Sequence, residues 1–131
     1  MTLAEVRDWL ETLEIAEHCH IGRIENKKEK SLGVYGMARN GRPVMAIGGG
    51  ALSSYDVRGV SLLLHWTRNA AAAETAAAAL WDAVACVTDV DTPGGAHIQY
   101  IEPLVPEPVP VGTDDGGVYE YVVEMNIYYR R

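Results

Sequence analysis

Phenylalanine is missing from this chain of 131 residues, yet there are seven tyrosines and three tryptophans. Aromatics with a polar tip suit surfaces that are half dry and half wet, as subunit interfaces are. Cysteine is scarce too. Cys19 and Cys86 lie far apart, with no CxxC spacing, so they read as two buried thiols rather than a disulfide or metal framework. Positive charge is in short supply. Eleven Lys and Arg face eighteen Asp and Glu, giving a net charge of −7. This argues against wrapping nucleic acid, which needs a net basic face. The one basic cluster, Arg23 followed by Lys27, Lys28 and Lys30, is short and broken by glutamates, and reads as a solvated turn. No apolar run approaches the roughly 18 residues of a membrane helix. The start, Met1-Thr2-Leu3-Ala4-Glu5, lacks the pattern of a signal peptide. The expectation is a protein made and kept in a cytoplasm, with no membrane partner.

What is present suits one globular domain over 1–131. The apolar share is 48% and the charged share 22%, ordinary for a folded chain of this size. Thr2 and Glu5 form a T-x-x-E capping box. Leu3, Val6, Leu10 and Leu13 then recur at helical spacing, which predicts a helix ending near Ala16. Residues 19–24, 32–37 and 44–47 read as short strands. Asn40-Gly41 supplies the positive φ angles of a hairpin turn between the last two. Residues 60–67 alternate as a strand. Asn69 is placed to cap a helix over 70–85, where ten of sixteen residues are alanine, the strongest helix former.

Residues 89–95 read as a turn and 96–102 as a strand. Pro103, Pro106, Pro108 and Pro110 keep the next stretch extended and out of the middle of a sheet. Residues 113–117 are a turn. The clearest element is last. Over 118–130, Tyr119, Tyr121, Val123, Met125, Ile127 and Tyr129 fall on one face of a strand. Such a strand spans about 43 Å, long for so small a domain. The fold class expected is α+β: a mixed, mostly antiparallel sheet flanked by an N-terminal helix and one Ala-rich central helix.

Chemistry is hard to find in this pattern. His18 and His20 share a face of a strand, as zinc or copper ligands can, but a site needs three or four ligands and no second cluster follows. A helix-to-strand junction explains them better. Gly48-Gly49-Gly50 has no following lysine, so it is not a phosphate loop. Asp89 with Asp91, and Asp114 with Asp115, lack the closing glutamate of a calcium loop and read as turn residues. Cys86 with His65 or His97 is a conceivable nucleophile and base, but Cys86 ends an apolar helix and reads as a buried structural thiol. The expectation is therefore no catalytic, cofactor-binding or metal residues. Binding or assembly is left as the functional class: a structural protein, with a small metal- or ligand-binding module carried by His18 and His20 as the alternative.

Three stretches carry a family resemblance. One is Ser31-Leu32-Gly33-Val34-Tyr35-Gly36 leading to Ala46-Ile47-Gly48-Gly49. Another is Val57-Arg58-Gly59-Val60-Ser61-Leu62-Leu63-Leu64-His65-Trp66-Thr67-Arg68-Asn69. The third runs from Pro108 through Gly112-Thr113-Asp114-Asp115-Gly116-Gly117 to Tyr121, then into Asn126-Ile127-Tyr128-Tyr129-Arg130. In these the chain resembles the tail-terminator, or "minor capsid", proteins of long-tailed bacteriophages and prophages. The alanine run at 70–79 departs from the family, which carries more charge there. The resemblance implies a homo-oligomeric ring, a hexamer, at the head-proximal end of the tail tube; the alternative within the structural class is another head–tail joining or neck protein. Its partners would be further copies of itself, the tail tube protein and the head connector, with DNA passing through unbound. Its place would be the virion, and the host cytoplasm during assembly. The long strand and the Pro-rich arm are devices for reaching a neighbour. They nominate Val105, Glu107, Val109, Val111, Asp114, Asp115, Tyr119 and Tyr128 as the assembly interface.

Overall fold

The computed structural model describes residues 1–24, 28–37, 47, 48 and 54–130. The hairpin expected around Asn40-Gly41 and the strand expected over 44–47 lie outside them, except for Ile47, which is in a turn. The order of elements is α1 (Leu3–Thr12), β1 (His18–Ile21), β2 (Ser31–Gly36), β3 (Tyr55–His65), α2 (Ala70–Ala85), β4 (Thr88–Asp91), β5 (His97–Pro103), β6 (Val109–Thr113) and β7 (Tyr119–Arg130). This is the α+β class, with two helices on a seven-stranded mixed sheet among the described residues.

The helices start where their caps place them. The Thr2 hydroxyl accepts the Glu5 backbone N–H at 3.2 Å, and the Asn69 side chain accepts that of Ala72 at 3.1 Å. Each satisfies a donor that the first turn leaves without an intrahelical partner. α1 stops at Thr12, short of Ala16, because Glu14 takes a left-handed φ of 54° and turns the chain out. α2 covers 70–85 as its alanine content predicts.

The sheet runs β1-β2-β3-β7-β5-β4, with β6 also paired to β7. β1 and β2 are parallel; every other pair is antiparallel. β7 is the spine. One edge pairs with β3 over eleven register positions, from Tyr55↔Arg130 to His65↔Glu120. The other edge is shared, with β5 on its C-terminal part and β6 on its N-terminal part. Several boundaries differ from the sequence reading: β1 ends at Ile21, short of Ile24, where Gly22 takes a φ of 69°, and β6 forms within the Pro-rich stretch. β3 begins at Tyr55 rather than Val60, because pairing with β7 carries it through Asp56 and Arg58, whose charge hides the alternation. Residues 88–91 form β4 against β5 rather than a turn, and the tight turn is confined to 92–95, closed by Thr92 and Ala96.

Both helices pack on one face. Leu32 and Val34 of β2, Val60, Leu62 and Leu64 of β3, and Val123, Met125 and Ile127 of β7 point to it. Val6, Trp9 and Leu10 of α1 and Ala76, Ala77, Leu80 and Val84 of α2 meet them. Alanines let the α2 backbone sit close to the sheet, while Leu80 and Val84 fill the space between. No helix among the described residues covers the opposite face, and none is long and apolar enough to cross a membrane.

Candidate assembly surfaces

The open face of the sheet carries Tyr55, Tyr100 and Tyr128, while Tyr121 faces the helices. Tyr128 of β7 lies opposite both Val57 of β3 and Tyr100 of β5 in the ladder. Its ring stacks on Tyr100, with centroids 4.3 Å apart and planes 12° from parallel, and lies 6.0 Å from the ring of Tyr55. Tyr100 and Tyr55 are nonetheless 42% and 37% exposed. Such a row is rigid, amphipathic and partly wet, the composition that suits a protein contact. Beside it the Asn126 amide donates to Glu102 Oε1 at 3.1 Å.

The second exposed element is β6. All five residues are exposed, with Val109 at 43% and Val111 at 57%. Among the described residues β6 pairs with β7 alone, so its outer edge offers unpaired backbone N–H and C=O groups. An edge strand with exposed valines is a template for another chain. The irregular register between Pro110 and Gly112 accommodates a proline with no N–H to give, as an edge strand allows.

The remaining nominated residues are more tied down than a free arm would be. Trp81 of α2 donates its indole N–H to the Val105 carbonyl at 3.0 Å, which fastens the Pro-rich segment to the helix. Glu107 is exposed beside it. Tyr119 is half-buried, and its backbone bonds Thr67 and Trp66 across the end of β3. Asp115 is exposed.

Asp114 turns inward. One carboxylate oxygen accepts the backbone N–H groups of Gly116 and Val118, at 2.8 and 2.9 Å, which closes the turn before β7. The other takes His65 Nε2 at 2.8 Å, while His65 Nδ1 donates to the Lys28 carbonyl at 2.8 Å. Both partners of this buried ring are acceptors, so the arrangement favours the imidazolium form, in which both nitrogens carry protons. Burial alone pulls its pKa down. The Asp114 hydrogen bond, the Lys28 carbonyl and the charge of Glu120 outweigh that, and the net shift is upward from the ordinary 6.5. The His65 hydrogen bond in turn holds the Asp114 carboxyl down at about 2, with the Val118 and Gly116 amides contributing. His65 thereby ties three segments together: the end of β3, the chain before β2 and the β6–β7 turn.

Both ring nitrogens of His65 are thus engaged away from Cys86. Those of His97 lie 2.7 Å from Asp91 and 3.3 Å from Asp89, which gives the two aspartates a partner other than calcium. Cys86 is a correction: it is exposed at the C-cap of α2, not buried, because Val84 and Val87 on either side take the inward positions. Cys19 is half-buried, and burial first, then the charge of Glu11, push its thiol up to about 11 against the opposing effect of Arg7. His18 and His20 share a strand face, with ring centroids 6.4 Å apart. No group of three or more His, Cys, Asp or Glu among the described residues is placed to hold a metal ion. Sequence reasoning missed the Tyr55–Tyr128–Tyr100 row as a unit; the odd-numbered tyrosine face of β7 drew attention instead, and only strand order places Tyr128 between its partners. No protein-family model, curated protein or solved structure matches the chain.

Proposed function

We propose that this chain is a structural subunit of a homo-oligomeric ring, and that the ring is a tail terminator of a long-tailed bacteriophage or prophage. In this reading six copies close on the head-proximal end of the tail tube, end its polymerisation and present a joint to the head connector. The work is assembly, not catalysis, in the host cytoplasm and then in the virion.

The observation that carries the reading is β6. A strand wholly exposed, with valines at its surface and an outer edge unpaired among the described residues, calls for a neighbouring chain to cover it. The three stretches that resemble tail terminators supply the kind of assembly. The third of them contains β6, its turn and β7. Charge supports it as well: a ring of six chains, each at −7, repels DNA and lets a genome pass without sticking.

Native mass spectrometry of the purified protein tests the reading. A hexamer, or a monomer that closes into rings only on added tail tubes, is the expected result. A strict monomer that leaves tails of uncontrolled length in a complementation assay overturns it. Replacing single edge residues is a cleaner probe than removing the 105–111 segment, since that segment is hydrogen-bonded to α2 and β7.

A further inference from the structure

A groove of about 520 Å³ runs between α2 and the Pro-rich segment that leads into β6. Glu74, Ala78, Trp81 and Asp82 line the helix side. Glu74, Ala78 and Asp82 recur every four residues and Trp81 lies three beyond Ala78, so they share one side of the helix. Alanine at 78 supplies no bulk, and the absence of bulk there is what leaves the groove open. Glu107 and its neighbouring prolines form the other wall, and Tyr121 of β7 contributes a second aromatic.

The chemistry of this lining is one-sided. Three carboxylates, two aromatic rings and several prolines line it, with no lysine, arginine or histidine among the described residues. Glu74, Asp82 and Glu107 are all exposed, and among the described residues none has a cation within ion-pair distance. The Trp81 indole N–H is already given to Val105, so Trp81 has only its ring to offer a ligand. Carboxylates around aromatic rings are the surroundings in which a guanidinium or ammonium group gains both ion-pair and cation–π attraction. The walls are stiff, one a helix and the other rich in proline, so little ordering is required on binding.

We infer that this groove docks an arginine- or lysine-bearing segment of a partner protein, with the cationic side chain over Trp81 and between Glu74, Asp82 and Glu107. The charge of the lining selects a basic polypeptide and rejects nucleic acid. The groove lies apart from the tyrosine row, and the inference holds whether or not the chain forms a ring.

The test uses the full chain labelled with nitrogen-15. The Trp81 indole resonance is assigned by its loss in Trp81→Phe, and is followed during titration with a capped Ala-Arg-Ala-Arg-Ala peptide. A saturable movement is expected, weakened about tenfold or more in the Glu74→Gln/Asp82→Asn/Glu107→Gln variant and at high salt. These surface changes leave the Trp9 and Trp66 resonances in place, which reports that the fold is intact. A Gln-for-Arg peptide is expected to give no response. Three results overturn the inference: no movement at millimolar peptide, an equal response to the Gln peptide, or a response unchanged in the triple variant. Movement with protein concentration alone, and none with peptide, also overturns it and assigns the groove to a second copy of this chain.

Discussion

On the helix-covered side of β7, Val123, Met125 and Ile127 are fully buried, while their chain neighbours Val122, Asn126 and Tyr128 on the other side keep part of their surface in contact with water. The same contrast holds on β3, where Leu62 and Leu64 are sealed and Leu63 between them is not. One strand thus feeds two different environments, and only one is finished by α1 and α2. The covered face supplies the stability of the fold. The open face carries tyrosines, Glu102, Glu124 and Asn126, a mixture suited to a contact that forms and dehydrates later. Substitutions on the two faces are therefore expected to part stability from assembly.

The largest effect belongs to the covered face. Leu62→Ala is expected to cost about 3 kcal/mol of unfolding free energy, from lost burial and the cavity left behind. Leu63→Ala, one residue away, is expected to cost less than about 1.5 kcal/mol. Denaturant melts of the two variants measure the difference, and equal losses would show that the open face is sealed in the free protein.

Next comes the His65–Asp114 tie. His65→Ala leaves Asp114 and the Lys28 carbonyl without their donors and is expected to cost about 1–3 kcal/mol at pH 6. The sign of its pH dependence follows from linkage. The folded pKa of His65 is raised, so its contribution is complete below about 6.5 and is lost as pH rises through the folded value. That of Asp114 is lowered from 3.8 to about 2, so its contribution is complete above about 3.8 and is lost as pH falls through 2. The tie is at full strength between about pH 4 and pH 6.5. Melting temperature against pH should flatten across both limbs in Asp114→Asn, and an unchanged profile would refute the tie.

The thiols sharpen the comparison by accessibility. Cys86 is exposed, whereas Cys19 is half-buried with its thiolate disfavoured. Alkylation of the native protein at pH 8 is expected to modify Cys86 well before Cys19, as peptide mapping by mass spectrometry would read. The smallest effect on stability is expected at the sheet edge. Val111→Lys should change unfolding free energy by less than about 0.5 kcal/mol, yet prevent the proposed ring, because a charge on an edge strand blocks pairing with another chain. A hexamer that persists in Val111→Lys would locate the contact elsewhere.

Local chemistry decided a good deal before any tertiary contact. Asn69 followed by alanines makes α2, and the alternation from Tyr119 onward, interrupted only by Val122 and Tyr128, makes β7, since capping and periodicity act between residues a few positions apart. The buried side of β7 follows from that alternation alone. The alanine helix also hides its own purpose, because alanine fits a close sheet contact and an empty groove equally well. Only the tertiary structure joined His65 to Asp114, 49 residues away, and Trp81 to Val105, 24 residues away. In sequence, Asp114 is an ordinary turn aspartate and Trp81 an ordinary helix aromatic. The strand order likewise set β6 on an edge and stacked Tyr55, Tyr128 and Tyr100 from three strands. Register between distant strands depends on the summed fit of the whole sheet, so no short stretch of the chain contains it.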